Sequence, residues 1–111
     1  MSESSNSFLA GELRVWPSKE RMAAILRSCG LRVYVGNYSI RIEDFDHWIF
    51  QEYGGDLGDP NIEADADTTE ELTANARQVS TALTAAGLAH RFEIYDESGV
   101  MTDYLHHDWP Q

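Results

Sequence analysis

Twice along this chain the spacing of apolar side chains changes from two, to three or four, and back to two. A period of two is a half-buried strand and a period near 3.6 is a helix. The chain is thereby committed to a β-α-β-β order in each half. In the first half, Leu13 and Val15 alternate with Glu12, Arg14 and Trp16. Pro17-Ser18 opens a helix, with Ser18 as its cap and Glu20 in the first turn, where a carboxylate suits the helix dipole. Met22, Ile25, Leu26 and Cys29 fall on one helical face, which predicts a buried thiol at Cys29. Gly30 is the stop. Leu31, Val33 and Val35 then alternate with Arg32 and Tyr34, Gly36-Asn37 turns, and Tyr38, Ile40 and Ile42 alternate on the return.

The second half repeats the order. Ile62, Ala64 and Ala66 alternate with Glu63, Asp65 and Asp67. Thr68 to Glu71 reads as a capping box. Leu72, Ala76, Val79, Leu83 and Ala86 form a helical stripe that ends at Gly87. Ala89–Tyr95 and Val100–His106 are strands joined by a turn at Glu97-Ser98-Gly99. The halves share no sequence beyond a Gly-Leu pair after each helix, Gly30-Leu31 and Gly87-Leu88. Phe45–Tyr53 is β-prone, and reads either as an extension of the preceding strand or as a strand of its own. Residues 54–60 form a Gly-rich acidic loop.

These elements predict an α+β fold, a two-layer sandwich of one mostly antiparallel sheet with two helices on one face and pseudo-duplicated β-α-β-β units. The helices are expected over Leu13, Val15, Val33 and Val35. Arg14, Trp16, Arg32, Tyr34, Ser39, Arg41 and Glu43 are expected on the other face. At 111 residues the chain reads as one domain, residues 9–111, behind a disordered polar tail, residues 1–8. The pattern halves are 11–53 and 61–107. The N-terminus has neither a basic region nor a long apolar run, so a cytoplasmic address is expected, with no membrane partner.

Charge bounds the partners. Residues 1–41 carry a net +3, residues 42–76 a net −11 with no Lys or Arg, and residues 77–111 a net −3. Such an anion repels nucleic acid and acidic membranes and attracts a basic protein. The candidate contact patch is Asp56, Asp59, Glu63, Asp65 and Asp67. Glu63, Asp65 and Asp67, spaced by two, would share one strand face. Three carboxylates in line could hold a hard cation, but they lack the calcium-loop pattern, and a solvated or edge-protecting strand is the plainer reading. His47, His90 and the His106-His107 pair lack zinc spacing, and adjacent histidines on a strand face opposite ways. No metal or cofactor is assigned.

No nucleophile elbow and no phosphate-binding glycine loop is present, so no catalytic residue is assigned; acid–base catalysis by two carboxylates leaves no sequence signature, and an enzyme of unrecognised type stands third behind two binding classes. Two binding classes stay open. One is a protein-interaction module, inhibitor-like or antidote-like, that uses the acidic middle. The other is a small-molecule domain with an aromatic cleft between the two units, lined by Trp16, Tyr34, Trp48 and Tyr104. A homodimer through the free sheet face or an edge strand is compatible with both.

Overall fold

The computed structural model describes residues 7–51, 53 and 60–109. The elements are β1 (Ser7–Leu13), α1 (Lys19–Ser28), β2 (Val33–Val35), β3 (Ile40–Ile42), β4 (His47–Gln51), β5 (Asn61–Ala66), α2 (Thr69–Ala85), β6 (His90–Tyr95) and β7 (Met101–His107). All strand pairs are antiparallel, in one sheet of order β2-β3-β4-β5-β1-β6-β7. The fold is α+β, with two helices and a seven-stranded antiparallel sheet among the described residues. Element order repeats, but sheet position does not follow it. The β6–β7 hairpin lies beside β1, and β4 separates β5 from the β2–β3 hairpin.

Local chemistry explains both helices. Ser18 Oγ accepts the Arg21 N–H at 3.1 Å, and Thr68 Oγ1 accepts the Glu71 N–H at 3.1 Å. Both helices end in the same motif. Gly30 and Gly87 take φ of 86° and 76°, conformations that cost glycine nothing. The Gly30 and Gly87 N–H groups donate to Arg27 and Thr84 carbonyls, and those of Leu31 and Leu88 reach back to Leu26 and Leu83. The leucine after each glycine is drawn onto the core, which accounts for the shared Gly-Leu pair.

That termination corrects the reading of Cys29. The helical stripe buries Met22, Ala23 and Leu26, but the helix stops at Ser28. Cys29 is the C-cap residue with φ −100° and ψ 12°, and its side chain is exposed. Leu31 takes the core position that the helical period assigned to the thiol.

The first strand also differs from its expected span. It begins at Ser7, so Ser7 and Phe8 belong to the sheet and not to a tail. Its inward residues are Ser7, Leu9, Gly11 and Leu13, and a glycine among them hides the alternation. A Cβ on Gly11 would lie 2.7 Å from Cδ1 of Phe92, so close approach of β1 to a buried ring requires glycine there. The chain leaves the sheet after Leu13, and Val15, expected in the core, is 71% exposed. Trp16, expected on the open face, turns instead to the core side. It sits edge-on to Phe50 at 6.5 Å and to Tyr53 at 5.0 Å. Val33 is buried as expected, while Val35, near the end of a short strand, is exposed.

Phe45–Tyr53 contains a strand of its own, β4, inside the sheet. The hairpin before it is held by Asp44, which accepts the Arg32 N–H and Arg32 Nε, each at 2.8 Å. Those bonds hold the Asp44 carboxyl below its usual range, the backbone donor contributing most. The Gly36–Ser39 turn is longer than the two residues expected, and Tyr38 lies in it rather than in β3. Lys19 Nζ ties the start of α1 to this turn through the Gly36 and Asn37 carbonyls. Tyr53 donates its hydroxyl to the Pro17 carbonyl, and burial pushes that phenol up from its ordinary pKa.

The inward faces of the strands and the inner stripes of both helices form one apolar cluster. Trp48, Phe50, Phe92 and Ile94 are its largest sheet-side members. Burial of each such side chain contributes about 1.5–3 kcal/mol. His90 is a buried polar member, with Nδ1 2.8 Å from the Leu88 carbonyl and Nε2 2.7 Å from Ser80 Oγ. A carbonyl only accepts, so Nδ1 carries the proton. Burial pushes this imidazole below its ordinary pKa, so Nε2 is bare and accepts from the serine hydroxyl.

Candidate functional site

Among the described residues no helix covers the second face of the sheet, and strand register fixes what it displays. One row crosses all seven strands: Tyr34, Arg41, Ile49, Glu63, Ala10, Glu93 and Tyr104. A second row runs His47, Asp65, Phe8, Tyr95 and Met101. Beside them Glu12 pairs with Arg91 and Arg91 with His106. Ala10 is the smallest side chain of the central row and leaves a shallow trough. Two hollows meet there, both bordered by Ala10 and Glu63. One of about 150 Å³ reaches Glu12, Asn61, Arg91 and Glu93. The other, of about 390 Å³, reaches Phe8, His47 and Asp65.

The two sides of the trough differ in chemistry. On the β6 side two carboxylates share one arginine. Arg91 donates from Nη2 and Nε to Glu12 at 3.0 and 3.2 Å, and from Nη1 to Glu93 at 3.1 Å. Tyr95 donates to Glu93 at 2.7 Å, a bond that raises the phenol's pKa. Asp108 takes φ 55°, which aspartate tolerates, and turns the chain so that Trp109 lies 5.3 Å from the Arg91 guanidinium carbon. On the β5 side, Glu63 and Asp65 form no salt bridge among the described residues. Phe8, 44% exposed, stacks on Tyr95 at 5.0 Å and forms the apolar wall.

The acidic patch is therefore assembled in part. Glu63 and Asp65 share one face as their spacing requires, at the centre of the sheet. The edge-protecting reading of this strand is corrected, because β5 lies between β4 and β1. Asp67 is exposed just past the end of β5. Asp56 and Asp59 lie outside the described residues. Among the described residues no group of three or more His, Cys, Asp or Glu is placed to hold a metal ion. His106 and His107 point to opposite faces, His106 opposite Arg91 and His107 opposite His90.

The four aromatics do not assemble into a cleft. Tyr34 and Tyr104 end the same row on opposite edges, six strand spacings or about 29 Å apart. Trp48 is a core residue, edge-on to Phe92 at 5.5 Å, and its Nε1 has no hydrogen-bond partner among the described residues. Tyr34 and Trp48 border one hollow of about 280 Å³, which Trp16 and Tyr104 do not reach. The network of Glu12, Arg91, Glu93 and Trp109 escaped the sequence reading. Arg91, Glu93 and Tyr95 at spacing two do mark a shared face, but Glu12 joins them only through the β1–β6 register.

No protein-family model, curated protein or solved structure matches the chain. Among the described residues no helix is long and apolar enough to cross a membrane.

Proposed function

We propose that this protein is a small interaction module, of the inhibitor or antidote kind, that takes a basic protein onto its open sheet face. One observation carries the reading. Glu63 and Asp65 stand unpaired among the described residues, at the centre of the uncovered face, beside the exposed ring of Phe8. Carboxylates without internal partners are free to accept from Arg or Lys, and a neighbouring aromatic wall suits the apolar stems of those side chains. The net charge of −11 would speed encounter with such a partner and make binding sensitive to salt. Asp56, Asp59 and Asp67 extend the patch in this reading, and a cytoplasmic setting goes with it. The rival small-molecule cleft draws no support from four aromatics that do not converge.

The test compares the wild-type chain with the Glu63→Gln/Asp65→Asn variant, each immobilised and exposed to lysate of its own host. The expected result is a specific basic protein, released at moderate salt from the wild type and absent from the variant, with both melting at the same temperature. Equal retention by the two chains overturns the reading, as does a wild-type column that holds nothing beyond a charge-matched control.

A further inference from the structure

The two edges of the sheet are built differently. The edge at β2 has three residues, and short edge strands are a common protection against pairing with another chain. The edge at β7 has seven residues, contains no Pro and no Lys, and carries one register irregularity near its start, opposite Ile94 and Tyr95. Past its end the chain turns at Asp108 and sends Trp109 back over Arg91, so this tail residue does not cap the strand. Among the described residues, the outward backbone donors and acceptors of β7, those of every second residue along Met101–His107, meet no further strand.

The order of side chains on that edge is self-complementary. Asp103, Leu105 and His107 lie on the helix side, and Tyr104 and His106 on the open side. A two-fold axis perpendicular to the sheet at Leu105 sets Leu105 against its own copy. It also opposes Asp103 to the partner's His107 and Tyr104 to the partner's His106. Within one chain Tyr104 and His106 already stack at 5.0 Å, so these rings suit one another across a seam as well. An axis at Tyr104 would oppose Asp103 to Leu105, and one at His106 would oppose that histidine to itself. The Leu105 register is the one of the three that matches an acid to a base. A hollow of about 440 Å³ between α2 and β7, bordered by Thr73, Arg77, Thr102 and Asp103, opens beside Asp103, where this register brings the partner's His107.

We propose that the protein forms a two-fold dimer by antiparallel pairing of β7 with β7 of a second copy, centred on Leu105. The assembly is one fourteen-stranded sheet with all four helices on one side. The two open faces then run together, which doubles the acidic surface without covering it.

The experiment uses the full chain, by sedimentation across the micromolar range and by oxidative cross-linking. The expected mass is twice 12.5 kDa. In a Cys29→Ser background, Leu105→Cys should cross-link to its copy, because directly opposed residues in an antiparallel pair lie within disulfide reach. Val35→Cys on the β2 edge should not. His107→Asp sets like charges opposite one another at two places and should weaken the dimer roughly tenfold. Adding Asp103→His should restore it, which separates the pairing from any effect of one substitution on folding. A wild-type chain that stays monomeric overturns the proposal and leaves the edge to a strand of another protein. A dimer that cross-links through Val35→Cys and not through Leu105→Cys overturns it too.

Discussion

The two faces of one sheet obey different rules although every strand contributes to both. On the covered face, Leu9, Ile62, Phe92 and Ile94 meet helices at near-zero exposure, and one added methyl at Gly11 would strike Phe92. On the open face the same strands carry Phe8, Ala10, Glu63, Asp65 and Glu93, with hollows between them. A packed interior punishes any change of volume, whereas a solvated face tolerates changes of volume and responds to charge. Stability is therefore expected to reside on one face and recognition on the other.

Two phenylalanines give the sharpest test. Phe92→Ala should cost about 3–5 kcal/mol of unfolding free energy in urea titration. Phe8→Ala should cost about 0.5–1.5 kcal/mol, the worth of its stack on Tyr95. Equal losses would break the contrast between the faces. Next in size, Gly11→Ala should cost about 1–3 kcal/mol through overpacking. Its neighbour Ala10, substituted by Ser on the open side, should change stability by less than about 0.5 kcal/mol.

The third expectation concerns pH. The folded chain holds His90 neutral, with its pKa below the unfolded value. The unfolded chain therefore binds a proton that the folded chain refuses. That contribution is fully present above about pH 6.5 and is lost as pH falls toward the folded pKa, with a slope of at most about 1.4 kcal/mol per pH unit. Urea titrations at several pH values should show this slope in the wild type and lose it in His90→Gln. An unchanged slope in the variant would assign the effect to other groups. Smallest in stability is Glu63→Gln/Asp65→Asn, expected within about 0.5 kcal/mol of wild type by thermal melting while it abolishes retention of the proposed basic partner.

Both helices were legible in the sequence because their signals are local. Ser18 and Thr68 cap donors three residues away, and the Gly-Leu pairs close bonds to carbonyls five residues back at most. The same locality misled at Cys29, where a helical period continued past a stop that Gly30 had already announced. Gly11 blurred the first strand, since an inward residue without a side chain breaks the alternation that marks a strand.

Sequence alone thus settled the two helices, their ends, the α+β class and the shared face of Glu63 and Asp65, because each depends on residues a few positions apart. Tertiary structure decided that β5 lies against β1, that β4 is interior, and that Tyr34 and Tyr104 stand on opposite edges. It also decided that Arg91 meets Glu12 across seventy-nine positions of chain. Strand order follows from which apolar faces can be buried together, a property of the whole assembly that no local period encodes.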